Sequence, residues 1–160
     1  MLLRTRSAID ECREHLQVSN AWNTQVESYL TQYILVILCA DVQQSINTLI
    51  EERISISAAT DEGLRNFAVS TGKKCLRSVG KSEVSGFLGL FGNAVKEHFN
   101  SRVDDRVVTL YNNAVSNRHD VAHNTGSTVT FRELNDIFDA AIVFLGAVSD
   151  SLKRVVVAPV

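Results

Sequence analysis

An all-α fold is what this sequence predicts, and three observations carry that prediction. The single proline of the 160 residues, Pro159, stands next to the last position, so nothing inside the chain breaks a helix in the way proline does. Apolar residues recur at spacings of three and four, with no run of strict alternation. Good helix formers (Leu, Glu, Arg, Ala, Gln) are frequent between them.

The elements follow in order. Residues 3–17 predict a first helix, with Ile9, Cys12 and Leu16 on one face, and Asn20 to Asn23 a break. A long helix is expected over 24–56. Its core stripe is Val26, Leu30, Tyr33, Ile34, Ile37, Leu38, Val42, Ile46, Leu49 and Ile50, and Asp41 at the stripe's border reads as a surface acid. Thr60, Asp61 and Glu62 open a third helix with acids in its first turn, where the helix dipole favours them. Leu64, Phe67, Ala68 and Cys75 are its apolar positions. Ser82 is placed as the cap of a short helix reaching Leu90, and a turn is expected near Phe91-Gly92-Asn93. Residues 93–101 form an amphipathic stretch with Val95 and Phe99 inward, and 103–115 a further helix. Thr130-Phe131-Arg132-Glu133 has the form of a capping box. The last helix behind it turns Leu134, Ile137, Phe138, Ala141, Phe144, Leu145, Val148 and Leu152 inward.

With 45% hydrophobic and 21% charged residues, the chain has the material for one packed domain over 1–160. The apolar tail at 155–160 is assigned no order. Net charge is −2, so nucleic acid would have to be met by a local basic surface. Cys12, Cys39 and Cys75 form no C-x-x-C pair and are odd in number, as free thiols in a reducing cytoplasm would be. The longest apolar run, Tyr33 to Ala40, is well short of the roughly 20 residues of a membrane helix, and no signal peptide is evident. A cytoplasmic protein without membrane contact is the expectation.

Several motifs fail. Gly80-Lys81-Ser82 lacks the earlier glycine of a P-loop, position 75 being Cys75, and no strand precedes it. Gly86, Gly89 and Gly92 do not have dinucleotide-binding spacing, and the S-x-x-K matches at Ser70 and Ser78 lack their companion motifs. Lys73, Lys74, Arg77 and Lys81 make a local basic cluster, which is either a solvated helix face or a patch that contacts RNA phosphates.

One segment is not explained by packing. In Asn117-Arg118-His119-Asp120-Val121-Ala122-His123-Asn124, four strongly polar residues precede a small apolar pair, and Arg118 and His123 stand with four residues between them. This segment resembles the R-x(4–6)-H signature of the HEPN superfamily, and within it the RiboL-PSP-HEPN branch. There a polar residue such as His119 directly follows the arginine, and alanine frequently precedes the histidine, as Ala122 does. The long apolar helix before the motif, Phe91-Gly92 and Phe99 between, and the final apolar helix extend the resemblance from about Ile9 to Leu152. Relatives often carry glutamate in the long helix where this chain offers Asp41 or Gln43.

The resemblance implies an all-α, HEPN-type helical bundle that dimerises and brings two such motifs into one cleft. Many members are metal-independent endoribonucleases acting as toxins or in antiviral defence; others keep the fold without cleaving. It implies Arg118 and His123 as catalytic residues, supported by Asn117, His119, Asp120, Asn124 and Asp41, with no metal and no cofactor. RNA is the substrate, a second copy the partner, and for a toxin an antitoxin of nucleotidyltransferase-like or other kind. The alternative is a silent HEPN module that binds RNA, a nucleotide or a protein.

The chemistry suits RNA. Attack by the ribose 2′-OH needs a base for its proton and an acid for the leaving 5′ oxygen, and histidine serves either near neutral pH. A guanidinium meets the charge that develops on the phosphoryl oxygens. Five residues of separation place Arg118 and His123 roughly 140° apart around a helix, so one copy aims them poorly and a two-fold partner would supply the other half. Two competing readings remain. His119-Asp120-x-x-His123 echoes the H-E-x-x-H metal motif without its glutamate or a third ligand. Alternatively, Arg118 and Asp120 pair on a surface while His123 caps a helix.

Overall fold

A computed structural model describes residues 2–57, 61–76, 78–122 and 128–153, apart from the side chains of 57 and 119–122. These residues form seven α-helices and two 3-10 turns, and no strand occurs among them.

Helix α1 (Leu3–Val18) buries Ile9, Cys12 and Leu16 as the spacing predicts. It has no side-chain cap of its own, because Leu2 before it is left-handed (φ 57) and turns a buried side chain inward. The acceptor for its first turn comes from another helix. Asp41 Oδ2 accepts from the Thr5 N–H at 2.9 Å and from the Thr5 hydroxyl at 2.8 Å. Arg4 stands 3.8 Å from Oδ1, largely in solvent. Asp41 is therefore not a surface acid but a buried one, held by an orphan helix N–H and by the positive end of the dipole.

Asn20 and Asn23 both adopt left-handed φ, 53 and 59, which asparagine tolerates better than most residues. Between them Trp22 sets its ring edge-on to Phe131 with 5.4 Å between centroids, pinning the break to the start of the last helix.

Helix α2 (Gln25–Ser57) is the centre of the bundle, packed against α1, α3 (Glu62–Cys75), α6 (Asp105–Ala122) and α7 (Leu134–Lys153). Ile34, Leu35, Leu38, Val42, Ile46 and Ile50 are buried. Val26 and Tyr33, expected in the core, lie on the surface with Tyr29 and Val36. The apolar surface of α2 is wider than the arc its neighbours cover, and these four occupy the uncovered flank. The stretch Gln25–Ile56 is long and apolar enough to cross a membrane, by length and composition. In this fold much of its apolar surface is met by four helices.

Helix α3 (Glu62–Cys75) starts as its acids predict, with Asp61 Oδ1 accepting from the Leu64 N–H at 2.9 Å. Its apolar face does not turn inward. No residue of α3 is buried, and Leu64 and Phe67 are 57% and 69% exposed. The helix lies along α2 through its half-buried Arg65, Val69 and Gly72 side instead. At Gly72 a Cβ would sit 3.2 Å from Ile50 Cγ2, so glycine permits the close approach.

Helix α4 (Lys81–Leu88) is capped by Gly80 and not by Ser82, one residue inside the helix. A 3-10 turn (Gly89–Phe91) and Gly92 at φ 119 reverse the chain, a conformation that requires glycine. Helix α5 (Asn93–Arg102) then buries Val95 and Phe99. Helix α6 (Asp105–Ala122) begins two residues later than expected. Asp104 Oδ1 accepts from the Val107 N–H at 2.8 Å, while Val103 stays extended and buried.

The capping box holds. The Thr130 N–H and hydroxyl donate to Glu133 Oε2 at 2.7 and 2.8 Å, opening a 3-10 turn (Phe131–Glu133) that runs into helix α7 (Leu134–Lys153). All eight inward positions expected of α7 are buried. Phe144 is the hub of the core: Phe99 meets it edge-on at 5.4 Å and Tyr111 stacks on it at 4.1 Å. Each such pair adds about 0.5–1.5 kcal/mol beyond the burial of its area.

Candidate functional site

Helix α6 buries Tyr111, Ala114 and Asn117 at spacings of three. Side chains from this helix hold the chain that links α3 to α4. The Tyr111 hydroxyl donates to the Val79 carbonyl at 2.8 Å, and Asn112 Oδ1 accepts from the Lys81 N–H at 3.1 Å. From the opposite side, Gln43 Nε2 of α2 donates to the Leu76 carbonyl at 3.4 Å.

Between these tethers lies a cleft of about 310 Å3. Its sides are Cys39, Ala40, Gln43 and Gln44 of α2, Ser78 and Val79 of the connection, and Val115 and Arg118 of α6. Arg118 is exposed at its rim. Burial pushes the Cys39 thiol up to about 11, and the Arg118 guanidinium pulls in the opposite direction with smaller effect. Burial also raises the Tyr111 phenol, with Cys39 adding to it. Cys39 is thus a neutral thiol near pH 7 and serves as lining, not as a nucleophile. The permanent charge in the cleft is Arg118.

Asn117 is 3% exposed and fully engaged. Its Nδ2 donates to the Asn113 carbonyl at 2.9 Å and to Asn113 Oδ1 at 2.8 Å. Its Oδ1 accepts from the Thr128 N–H at 2.7 Å and the Thr128 hydroxyl at 3.2 Å. One amide therefore ties residue 128 to the last turns of α6. The helix continues through His119 and Asp120 to Ala122. The side chains of His119 and Asp120, and all of His123 and Asn124, lie outside the described residues, as does the geometry of any metal reading or Arg118–Asp120 pair.

The remaining expected site residues separate. Asp41 faces Thr5 of α1 and does not line the cleft, whereas Gln43, two positions on, does. Of the basic cluster, Lys73 is ion-paired with Glu51 of α2, Lys74 is exposed, Lys81 is half-buried at the start of α4, and Arg77 is outside the described residues. Sequence reading passed over Tyr111 and Asn112, and met Ser78 only in a failed S-x-x-K match. Tyr111 and Asn112 act through single hydrogen bonds to distant backbone, which no local pattern signals. Cys39, Ala40, Gln43 and Gln44 do repeat at intervals of four along α2, a legible polar-and-small stripe beside the core stripe. A second groove, about 100 Å3, lies between the ends of α2 and α7; Leu49, Ile56 and Leu152 line it together with Glu52, Arg53, Ser149 and Lys153.

No curated relative and no solved structure matches the chain. The RiboL-PSP-HEPN family matches residues 2–154, nearly the whole of it. With that match and the seven helices of the described residues, the chain belongs to the RiboL-PSP-HEPN family.

Proposed function

We propose that this protein is a metal-independent endoribonuclease that cleaves RNA by attack of the ribose 2′-OH, acting in the cytoplasm as a toxin or an antiviral-defence effector. The observation that carries this reading is Arg118: an exposed guanidinium at the rim of a polar-sided cleft, five positions before His123. A scissile phosphate held there is neutralised by two N–H donors in a fixed fork. His123 moves the protons, accepting from the 2′-OH or donating to the 5′ leaving oxygen. Asn117 positions the segment by holding Thr128 to the helix end.

The active form in this reading is a homodimer. Val26, Tyr29, Tyr33 and Val36 form an exposed stripe along α2 at spacings of three, four and three. The same spacing continues to Ala40, which lines the Arg118 cleft. A second copy docked two-fold on this stripe brings two clefts side by side, which answers the roughly 140° between Arg118 and His123 on one helix. A second reading is a HEPN module that binds RNA, a nucleotide or a protein without cleaving; Lys73 held by Glu51 reduces the free charge facing RNA and favours its nucleotide- or protein-binding form.

Purified protein incubated with total RNA, with and without EDTA, separates these readings. Fragments ending in 2′,3′-cyclic phosphate, formed equally in EDTA and lost in Arg118→Ala and His123→Ala, are the expected result. Intact RNA leaves the silent module. Cleavage that EDTA abolishes and zinc or manganese restores establishes the metal site at His119 and His123 instead.

A further inference from the structure

Resting on the nuclease reading, we infer that the cleft beside Arg118 is a base subsite, and that Gln43 and Ser78 make it select adenine or cytosine, whose pairing edge sets an amino group beside a ring-nitrogen acceptor. The orientation of one amide decides this. The Leu76 carbonyl can only accept, so the Gln43 group facing it must be the NH2, as the 3.4 Å contact of Nε2 has it. Gln43 Oε1 is then the atom with no partner among the described residues, in a side chain that lines the cleft. A carbonyl oxygen welcomes the amino group of adenine or cytosine. Uracil and guanine carry a keto oxygen at the corresponding place on their pairing edge and would set acceptor against acceptor.

Ser78 adds the second half of the pattern. Its Oγ accepts from the Gly80 N–H at 3.3 Å, which takes up one lone pair and leaves the hydroxyl proton and a second lone pair for the cleft it lines. The ring nitrogen beside the amino group is an acceptor in adenine and cytosine and an N–H in guanine and uracil. The Gln43 acceptor thus opposes the keto oxygen of guanine and uracil, while the Ser78 hydroxyl donates to the ring nitrogen of adenine and cytosine and completes their match. Val79 and Val115 supply apolar wall for the base face, and about 310 Å3 is at the lower end of small-ligand pockets, roughly 300–1,000 Å3. Arg118 at the rim fits the attached phosphate.

The test titrates the whole protein with 3′-AMP, 3′-CMP, 3′-GMP and 3′-UMP, and compares cleavage of oligoribonucleotides that differ at one base. The expected result is binding of 3′-AMP and 3′-CMP tighter by about ten-fold or more, the discrimination one well-placed base contact gives. Gln43→Met, of similar length but without the acceptor, brings the four affinities within about two-fold; Ser78→Ala, which also frees the Gly80 N–H, reduces the ratio in part. Equal affinities in the wild type, or a ratio unchanged in both variants, overturn the inference. RNA cleavage without any base preference leaves the nuclease and removes the subsite. Selective nucleotide binding without cleavage keeps the subsite and removes the nuclease.

Discussion

The Tyr111 hydroxyl donates to the Val79 carbonyl at 2.8 Å while its ring stacks on Phe144 at 4.1 Å, so a single side chain joins the centre of the core to the wall of the Arg118 cleft. Tyr111→Phe keeps the stack and leaves the Val79 carbonyl without its donor. The expected loss of stability is about 1–3 kcal/mol, accompanied by weaker nucleotide binding as the wall relaxes. Phe99→Leu, equally deep but remote from the cleft, is expected to lower stability and leave binding of the folded protein unchanged. Denaturant titration beside nucleotide titration of both variants checks the contrast.

Tyr33→Glu addresses the dimer. Tyr33 is 56% exposed in the single chain, so a charge there leaves the fold within about 0.5 kcal/mol of the wild type. In a two-fold contact it meets its own mate, and like charges across an interface dissociate it. Light scattering is expected to give a dimer for the wild type and a folded, inactive monomer for the variant. A wild-type monomer with full activity would show the two-fold account to be wrong.

Asp41→Asn distinguishes a cap from a catalytic acid. The carboxylate receives both donors of Thr5 from the first turn of α1. Removing its charge is expected to cost about 1–2 kcal/mol of stability, with the cleavage rate per folded molecule unchanged. A large drop in rate at unchanged stability would return Asp41 to the active centre.

The thiols respond differently to pH. Cys75 is exposed and Cys12 and Cys39 are buried, so one cysteine is expected to react with a thiol reagent in the native protein at pH 8. Cys39 has its pKa raised from 9.0 to about 11, so the folded state holds the proton more tightly than the unfolded one. Its contribution is therefore complete below about pH 9 and is lost as pH rises through about 11, on the order of 2 kcal/mol in all. Tyr111, also raised, acts in the same direction. Thermal melts from pH 8 to 11 are expected to show a falling Tm, with a shallower fall in Cys39→Ala.

The sequence by itself determined the helices, their order and the segment on which the proposed site rests. Helix periodicity is local: Ile9, Cys12 and Leu16, or Leu134 through Leu152, share a face whatever packs on them, and the bond between Thr130 and Glu133 spans three residues. Arg118 and His123 were legible because polar residues crowd the segment 117–124, where the apolar periodicity gives no reason for them. What covers a face is a tertiary matter. Only the packed structure decided that Leu64 and Phe67 turn outward, because Gly72 lets α3 approach α2 by its other side, and that Val26 and Tyr33 lie on an uncovered flank of α2. It also sent Asp41 and Gln43, two residues apart, to opposite tasks. Two positions rotate a helix by about 200°, so one side chain faces α1 and the other the cleft, and that choice depends on which helices stand beside α2.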